Sequence, residues 1–257
     1  MMKIRSGRRI RPPKLVPGDL VAFVAPSRPV APESLATATH ILESWGLSAT
    51  TRWLVPGERG YLAGPDDDAR ALAIENALCD PHVKAVWCAR GGYGAGRLLT
   101  KIDWARVRAT GQAKWFIGYS DVTALHLGIA HELNWVTLHG PVAALLDVDG
   151  PSVTTAGLRG ALTSSRAPGR LPVPGVAEGW DPLTAVIREG SASGPLTGGN
   201  LALVASLVGT TWAMVGAEHV VMLEDVSEAP YRIDRMLLQL RQSGALDGGR
   251  AVVLDRK

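Results

Sequence analysis

Continuous apolar runs alternate with amphipathic, helix-length stretches along most of this chain. Leu20-Val21-Ala22-Phe23-Val24-Ala25 is apolar at every position and closes at Pro26-Ser27, the pattern of a parallel strand covered on both faces. Pro32-Glu33-Ser34 then opens a helix with Leu35, Ala38, Ile41, Leu42 and Trp45 as its apolar side and Gly46 as its stop. A second strand is predicted over 48–54, a loop over 57–64, and a helix reaching Leu78 whose first turn holds Asp66, Asp67 and Asp68, where the helix dipole favours negative charge. Residues 83–89 read as a third strand, 114–117 as a fourth that breaks at Gly118, 122–133 as a helix, and 135–138 as a strand ending at His139-Gly140-Pro141. A Pro- and Gly-rich stretch over 164–182 has the composition of a crossing between domains. Beyond it, Gly198-Gly199-Asn200 opens a helix over 201–208, and 220–223 is a strand ending in Glu224-Asp225. Pro230 starts a helix with Ile233, Met236, Leu237 and Leu240 as its buried stripe, and 251–254 is a last strand.

Strand-helix alternation of this kind predicts an α/β fold: an N-terminal, mostly parallel sheet flanked by helices in Rossmann or flavodoxin fashion, with a smaller C-terminal α/β domain. The boundaries drawn from it are 1–165 for the first domain, 166–184 for the linker and 185–257 for the second. With 46% hydrophobic and 20% charged residues the composition is that of an ordinary globular protein, which excludes disorder and a membrane protein. The net charge of +3 is concentrated at the start, in Lys3, Arg5, Arg8, Arg9, Arg11 and Lys14, so the remaining body is near neutral and nucleic acid is not an expected partner. Pro17-Gly18-Asp19 interrupts any signal-peptide pattern, and a cytoplasmic location is expected. Cys79 and Cys88 fit neither a disulfide framework nor metal-ligand spacing, and both read as buried thiols.

Candidate chemistry begins at Gly118-Tyr119-Ser120-Asp121. A strand-turn-helix junction of this kind lifts a serine hydroxyl out of the strand, and the amide of the next residue points where an oxyanion would develop. Ser120 is therefore the candidate nucleophile, although Val122 stands where the usual second glycine of such an elbow would be. A helix cap formed by Ser120 or Asp121 is the competing reading. At the previous strand end, Arg90-Gly91-Gly92-Tyr93-Gly94 offers backbone amides that a ligand can approach. Its spacing and its position after the third strand do not suit a dinucleotide loop. An amide of Gly91 or Gly92, joined to that of Asp121, suits an oxyanion hole, with a purely packing turn as the other reading. The three aspartates at 66–68 point to different faces of a helix and cannot share a metal ion, and His131-Glu132 lacks a second histidine at Trp135, so no metal is expected. His139 stands at a strand end and is the one histidine placed to line the same cleft.

Taken together, Arg90-Gly91-Gly92-Tyr93-Gly94, Gly118-Tyr119-Ser120-Asp121, Gly198-Gly199-Asn200-Leu201 and Leu223-Glu224-Asp225, running on to Pro230-Tyr231-Arg232-Ile233-Asp234-Arg235, resemble the serine LD-carboxypeptidases of murein recycling. That family also includes the microcin C immunity peptidases. The stretch Gly94-Ala95-Gly96-Arg97-Leu98-Leu99 is more similar to the murein branch than to the microcin branch, which tends to carry asparagine there. The resemblance covers nearly all of the chain from Gly18. It implies a Ser-Glu-His triad with Ser120 as nucleophile and Glu224 as the acid that orients the histidine, and an oxyanion hole from the amides of Asp121, Gly91 and Gly92. Tyr93, Asn200 and His139 become candidate substrate contacts. The implied reaction releases terminal D-alanine from a muropeptide without metal or cofactor, in a homodimer. The family's histidine lies beyond the strand read here over 251–254, and no histidine follows His219, so that residue has no match. The expectation drawn from this is a C-terminal domain cut short or frameshifted after Leu254. A muropeptide-binding protein that does not cleave, and a microcin-type immunity peptidase, are the alternatives.

Overall fold

A computed structural model describes residues 9–146, 153–166, 169 and 189–256. The chain divides into two compact units, one ending at Ser164 and also holding Thr210–Trp212, the other formed by the remainder from Ser165 on. In the first unit, strand β1 (Leu20–Val24) leads through a 3-10 turn, Pro32–Leu35, into α1 (Ala36–Ser44) and β2 (Ser48–Thr50). A short hairpin, β3 (Glu58–Arg59) with β4 (Leu62–Ala63), precedes α2 (Asp67–Cys79) and β5 (Val83–Cys88). Then come a 3-10 turn Ala95–Leu98, α3 (Trp104–Ala109), β6 (Trp115–Gly118), a 3-10 turn Ser120–Val122, α4 (Thr123–Leu133) and β7 (Leu138–His139). A 3-10 turn Ala143–Leu145 and α5 (Val153–Thr163) complete this unit.

Five of these strands form one all-parallel sheet in the order β2-β1-β5-β6-β7. Its centre is apolar on both faces because helices cover both. Val21, Ala22, Phe23 and Val24 of β1 and Ala85, Val86, Trp87 and Cys88 of β5 are fully buried. Two long-range bonds fix the tryptophans in this core: Trp87 Nε1 donates to the Pro141 carbonyl and Trp115 Nε1 to that of Pro13, each at 2.8 Å. The three aspartates at 66–68 separate as their helical positions require. Asp66 caps α2 by accepting from the Ala69 amide at 2.8 Å, Asp67 pairs with Arg70 and Arg97, and Asp68 pairs with Lys101.

The second unit carries β8 (Leu196–Asn200), α6 (Leu201–Ser206), β9 (Val220–Asp225), α7 (Pro230–Gln242) and β10 (Ala251–Arg256). Its strands form a parallel sheet in the order β10-β9-β8. Gly198 (φ 114°) and Gly199 (φ 132°) take β8 through backbone conformations open to glycine, and a Cβ at Gly198 would come within 2.0 Å of the Met222 carbonyl oxygen. The two glycines therefore let β8 lie directly on β9.

Several sequence expectations are corrected. The loop over 57–64 holds the β3–β4 hairpin, and the strand expected over 135–138 is β7 at Leu138–His139, with Trp135 forming only an isolated bridge to Ile10. In α7 only Leu240 is buried, while Ile233, Met236 and Leu237 are half-covered, because the helical period selects a side of the helix and not what packs on it. Cys79 at the end of α2 is half-buried; Cys88, inside β5, is buried as expected. The stretch expected to link two domains, 166–184, lies outside the described residues apart from Arg166 and Gly169. No described helix is long and apolar enough to cross a membrane.

Candidate active site

Because β1, β5, β6 and β7 are neighbours and run parallel, the loops at their carboxyl ends lie side by side, where open α/β sheets place their ligands. Those loops begin with Ser27-Arg28, Arg90-Gly91-Gly92, Tyr119-Ser120 and His139-Gly140. Ser120 follows β6 in the left-handed region, with φ 61°, a conformation that costs a non-glycine residue about 1 kcal/mol and persists only where its surroundings impose it. The N-cap positions of the 3-10 turn Ser120–Val122 and of α4 are Tyr119 and Val122, so Ser120 is the first residue of the turn and the cap of neither helix. The helix-cap reading of Ser120 therefore finds no support in the geometry. Asp121 is the second residue of that turn, so its amide is among the first-turn N–H groups without an intrahelical acceptor.

The Asp121 side chain does something the sequence did not signal. It is buried, and its Oδ2 accepts from the Ser27 hydroxyl at 2.5 Å and from the Ala95 amide at 2.9 Å. One carboxylate thus fastens the end of β1 and the far end of the glycine loop to the residue after Ser120. The glycine loop in turn lies against the elbow. A Cβ at Gly91 would stand 3.5 Å from Ser120 Cβ and 3.8 Å from its Oγ, in ordinary contact, and Gly92 has φ 129°. Neither glycine of the pair has a side chain of its own to hold a ligand off its backbone amide. Beside them, the exposed Tyr93 ring meets Tyr61 of the β3–β4 connection edge-on, with centroids 5.6 Å apart. Tyr61 was missed because two-residue strands leave no readable period.

Beneath the elbow sits a pair of histidines. His126 of α4 is buried, and its Nε2 is 2.7 Å from the Gly118 carbonyl, which fixes the tautomer with the proton on Nε2. The Gly140 amide donates to the same carbonyl at 3.1 Å. Burial, and secondarily the nearby His139, push the His126 pKa down to about 3. His139 is in register with Gly118, and its ring centroid lies 5.9 Å from that of His126 and 6.3 Å from that of Tyr119. Cys88 ends β5 within this buried group, and burial, with the Asp121 charge behind it, raises its thiol well above the usual range.

The remaining candidates belong to the second unit, where the structure brings them together with each other. Asn200 and Glu224 are register partners in β8 and β9, and both are buried. Asn200 caps α6, its Oδ1 accepting from the Leu203 amide at 3.2 Å, and Asp225 accepts from the Ala202 amide at 3.1 Å. The Gly-Gly-Asn and Glu-Asp motifs thus meet at one sheet end. No group of three or more metal-binding side chains occurs among the described residues.

Residues 21–140 match the LD-carboxypeptidase N-terminal domain and residues 193–256 the LD-carboxypeptidase C-terminal domain. A presumed carboxypeptidase of Streptomyces coelicolor is 44% identical over 249 residues, an overlap of 95% of this chain and 77% of that protein. A probable murein peptide carboxypeptidase of Bacillus subtilis is 36% identical over 247 residues, covering 95% of this chain and 74% of the relative. Among solved structures, muramoyltetrapeptide carboxypeptidase from Oxalobacter formigenes superposes with a TM-score of 0.74 at 29% identity, over 93% of this chain and 78% of the other. With both domain types matched in order and a relative 44% identical over most of its length, the chain belongs to the LD-carboxypeptidase family.

Proposed function

We propose that this chain is a serine-type LD-carboxypeptidase of murein tetrapeptides, with Ser120 as its nucleophile. The observation that carries this reading is the Ser120 hydroxyl: it stands on a left-handed turn beside Gly91 of the glycine loop. In the proposed reaction Ser120 Oγ bonds to the carbonyl carbon between an L-centre and the terminal D-alanine. The amides of Asp121 and of Gly91 or Gly92 receive the oxyanion, the D-alanine amine leaves with a proton, and water releases the acyl group from Ser120. Glu224 is the acid that would orient the base, and Asn200, Tyr93 and His139 are candidate substrate contacts. The names of the Bacillus and Oxalobacter proteins support the murein peptide as substrate class. A homodimer in the cytoplasm, serving cell-wall recycling, completes the proposal.

No residue of these 257 is assigned the part of the general base. The second reading is a chain that binds murein tetrapeptides and releases D-alanine slowly or not at all. Calorimetry with L-Ala-γ-D-Glu-diamino acid-D-Ala, paired with chromatographic detection of D-alanine over long incubations, separates the two. Cleavage that Ser120→Ala abolishes, with binding retained, is the expected result for the peptidase. Binding with no release above the Ser120→Ala background selects the second reading, and absence of binding refutes both.

A further inference from the structure

We propose that Arg28 receives the free carboxylate of the peptide's last residue, so that selection for a chain end is made at the carboxyl end of β1. This deepens the peptidase reading above and rests on it. A carboxypeptidase must find a negative charge one residue beyond the carbonyl it attacks, about 3.8 Å further along the chain. The natural partner is a guanidinium, whose fork of N–H donors matches both carboxylate oxygens.

Arg28 is placed for that role by three observations. Its strand β1 is the neighbour of β5, which carries the glycine loop, and β5 is the neighbour of β6, which carries Ser120. The residue before it, Ser27, is fully buried and bonded to the Asp121 carboxylate, so the backbone from which Arg28 departs is fastened to the residue after the nucleophile. The Arg28 side chain then lies over the glycine loop. A Cβ added to Gly92 would come 2.7 Å from its Cγ, 2.9 Å from its Cδ and 3.2 Å from its Nε, while Gly91 packs against Ser120 on the other side. Guanidinium, glycine amides and hydroxyl therefore follow one another across the strand ends.

Two of the neighbouring arginines already have their charges committed, whereas Arg90, at the start of the loop, is exposed and is the rival that the experiment below includes. Arg70 and Arg97, which flank the same loop, both bind Asp67, and Arg97 Nε donates to it at 2.8 Å. Arg28 is exposed and pairs with no acidic side chain among the described residues. An unneutralised cation with its stem laid along the oxyanion loop suits an acidic chain end. It also explains why a longer peptide, with an amide in place of that carboxylate, would be refused.

Calorimetry compares the tetrapeptide acid with its C-terminal amide, on the wild type and on Arg28→Ala, Arg28→Lys and Arg90→Ala. Arg28 is exposed, so unchanged unfolding midpoints are expected and serve as the folding control. The wild type is expected to prefer the acid by about 10- to 100-fold, as befits a hydrogen bond between charged groups. Arg28→Ala should bring acid binding down to the level of the amide while leaving the amide unchanged, and Arg28→Lys should restore part of the preference. Retention of the acid preference in Arg28→Ala, or its loss in Arg90→Ala alone, overturns the assignment of Arg28. Failure of the wild type to bind either peptide overturns the peptidase reading as well, which keeps the two failures distinct.

Discussion

The two sheets present their candidate residues in opposite ways. In the first unit Ser120 stands beyond the end of its strand, on a left-handed turn, and hydrogen bonds from three other segments hold the neighbourhood in place. In the second unit Glu224 lies inside β9, buried, between Asn200 of β8 and Asp255 of β10 in register. A residue on a turn depends on what braces the turn. A residue inside a strand depends on the spacing of the sheet, and here that spacing rests on glycine.

The sharpest way to break the second arrangement is therefore Gly198→Ala. The new Cβ would stand 2.0 Å from the Met222 carbonyl oxygen, a backbone atom that cannot rotate away, and φ 114° is costly for alanine besides. β8 must move off β9, with a loss of roughly 3 kcal/mol or more from overpacking and backbone strain combined. Urea unfolding should show a large fall in stability, and hydrogen exchange should place the lost protection in β8 and β9, with the β1–β5 amides unaffected. Equal loss in both units would mean that the glycine supports more than its own sheet.

The first arrangement is tested by pH. His126 has a folded pKa of about 3 against about 6.5 unfolded, so the native state refuses a proton that the unfolded chain accepts between those values. Stability from this group is complete above pH 6.5 and falls as pH drops toward 3, by about 1.4 kcal/mol per unit within that window. His126→Gln keeps an N–H to offer the Gly118 carbonyl but has no titrating ring. Its unfolding midpoint should fall less than that of the wild type between pH 7 and pH 4.5, and the difference between the two proteins isolates the contribution of His126. Parallel pH curves for the two proteins would show that His126 already carries its proton in the native state.

How much of this was legible in the sequence follows from what each feature depends on. β1, β5 and β6 were readable because burial on both faces leaves nearly every position apolar, the exposed Lys84 of β5 excepted, a local signal. The turn at Ser120 was readable because Gly118 and the following helix bracket it. The Asp121 carboxylate was not, since its partner Ser27 is 94 residues away and no periodicity records a contact of that kind. Arg28 carries no such signal for the same reason: one arginine after a strand acquires meaning only when the sheet order puts β5 beside β1. The α7 stripe had the right period, yet only Leu240 is buried, because packing is a property of the partner surface as well as of the helix.

The same contrast in burial gives the smallest predicted effect. Val21 in β1 is fully buried in the first sheet, whereas Val253 in β10 is 49% exposed and its neighbours Val252 and Leu254 are 50% and 52% exposed. Replacing valine by threonine changes shape little and adds one hydroxyl, so the cost reports how far each site is removed from water. Val21→Thr should lose about 1–3 kcal/mol, since its hydroxyl enters a core without solvent. Val253→Thr should stay within about 0.5 kcal/mol, because its hydroxyl keeps water as a partner and threonine suits a strand as well as valine does. Denaturant midpoints of the two variants check the pair. A loss at Val253 as large as that at Val21 would show that β10 is covered in solution, by a second copy of the chain or another partner, and would erase the difference between the two sheets.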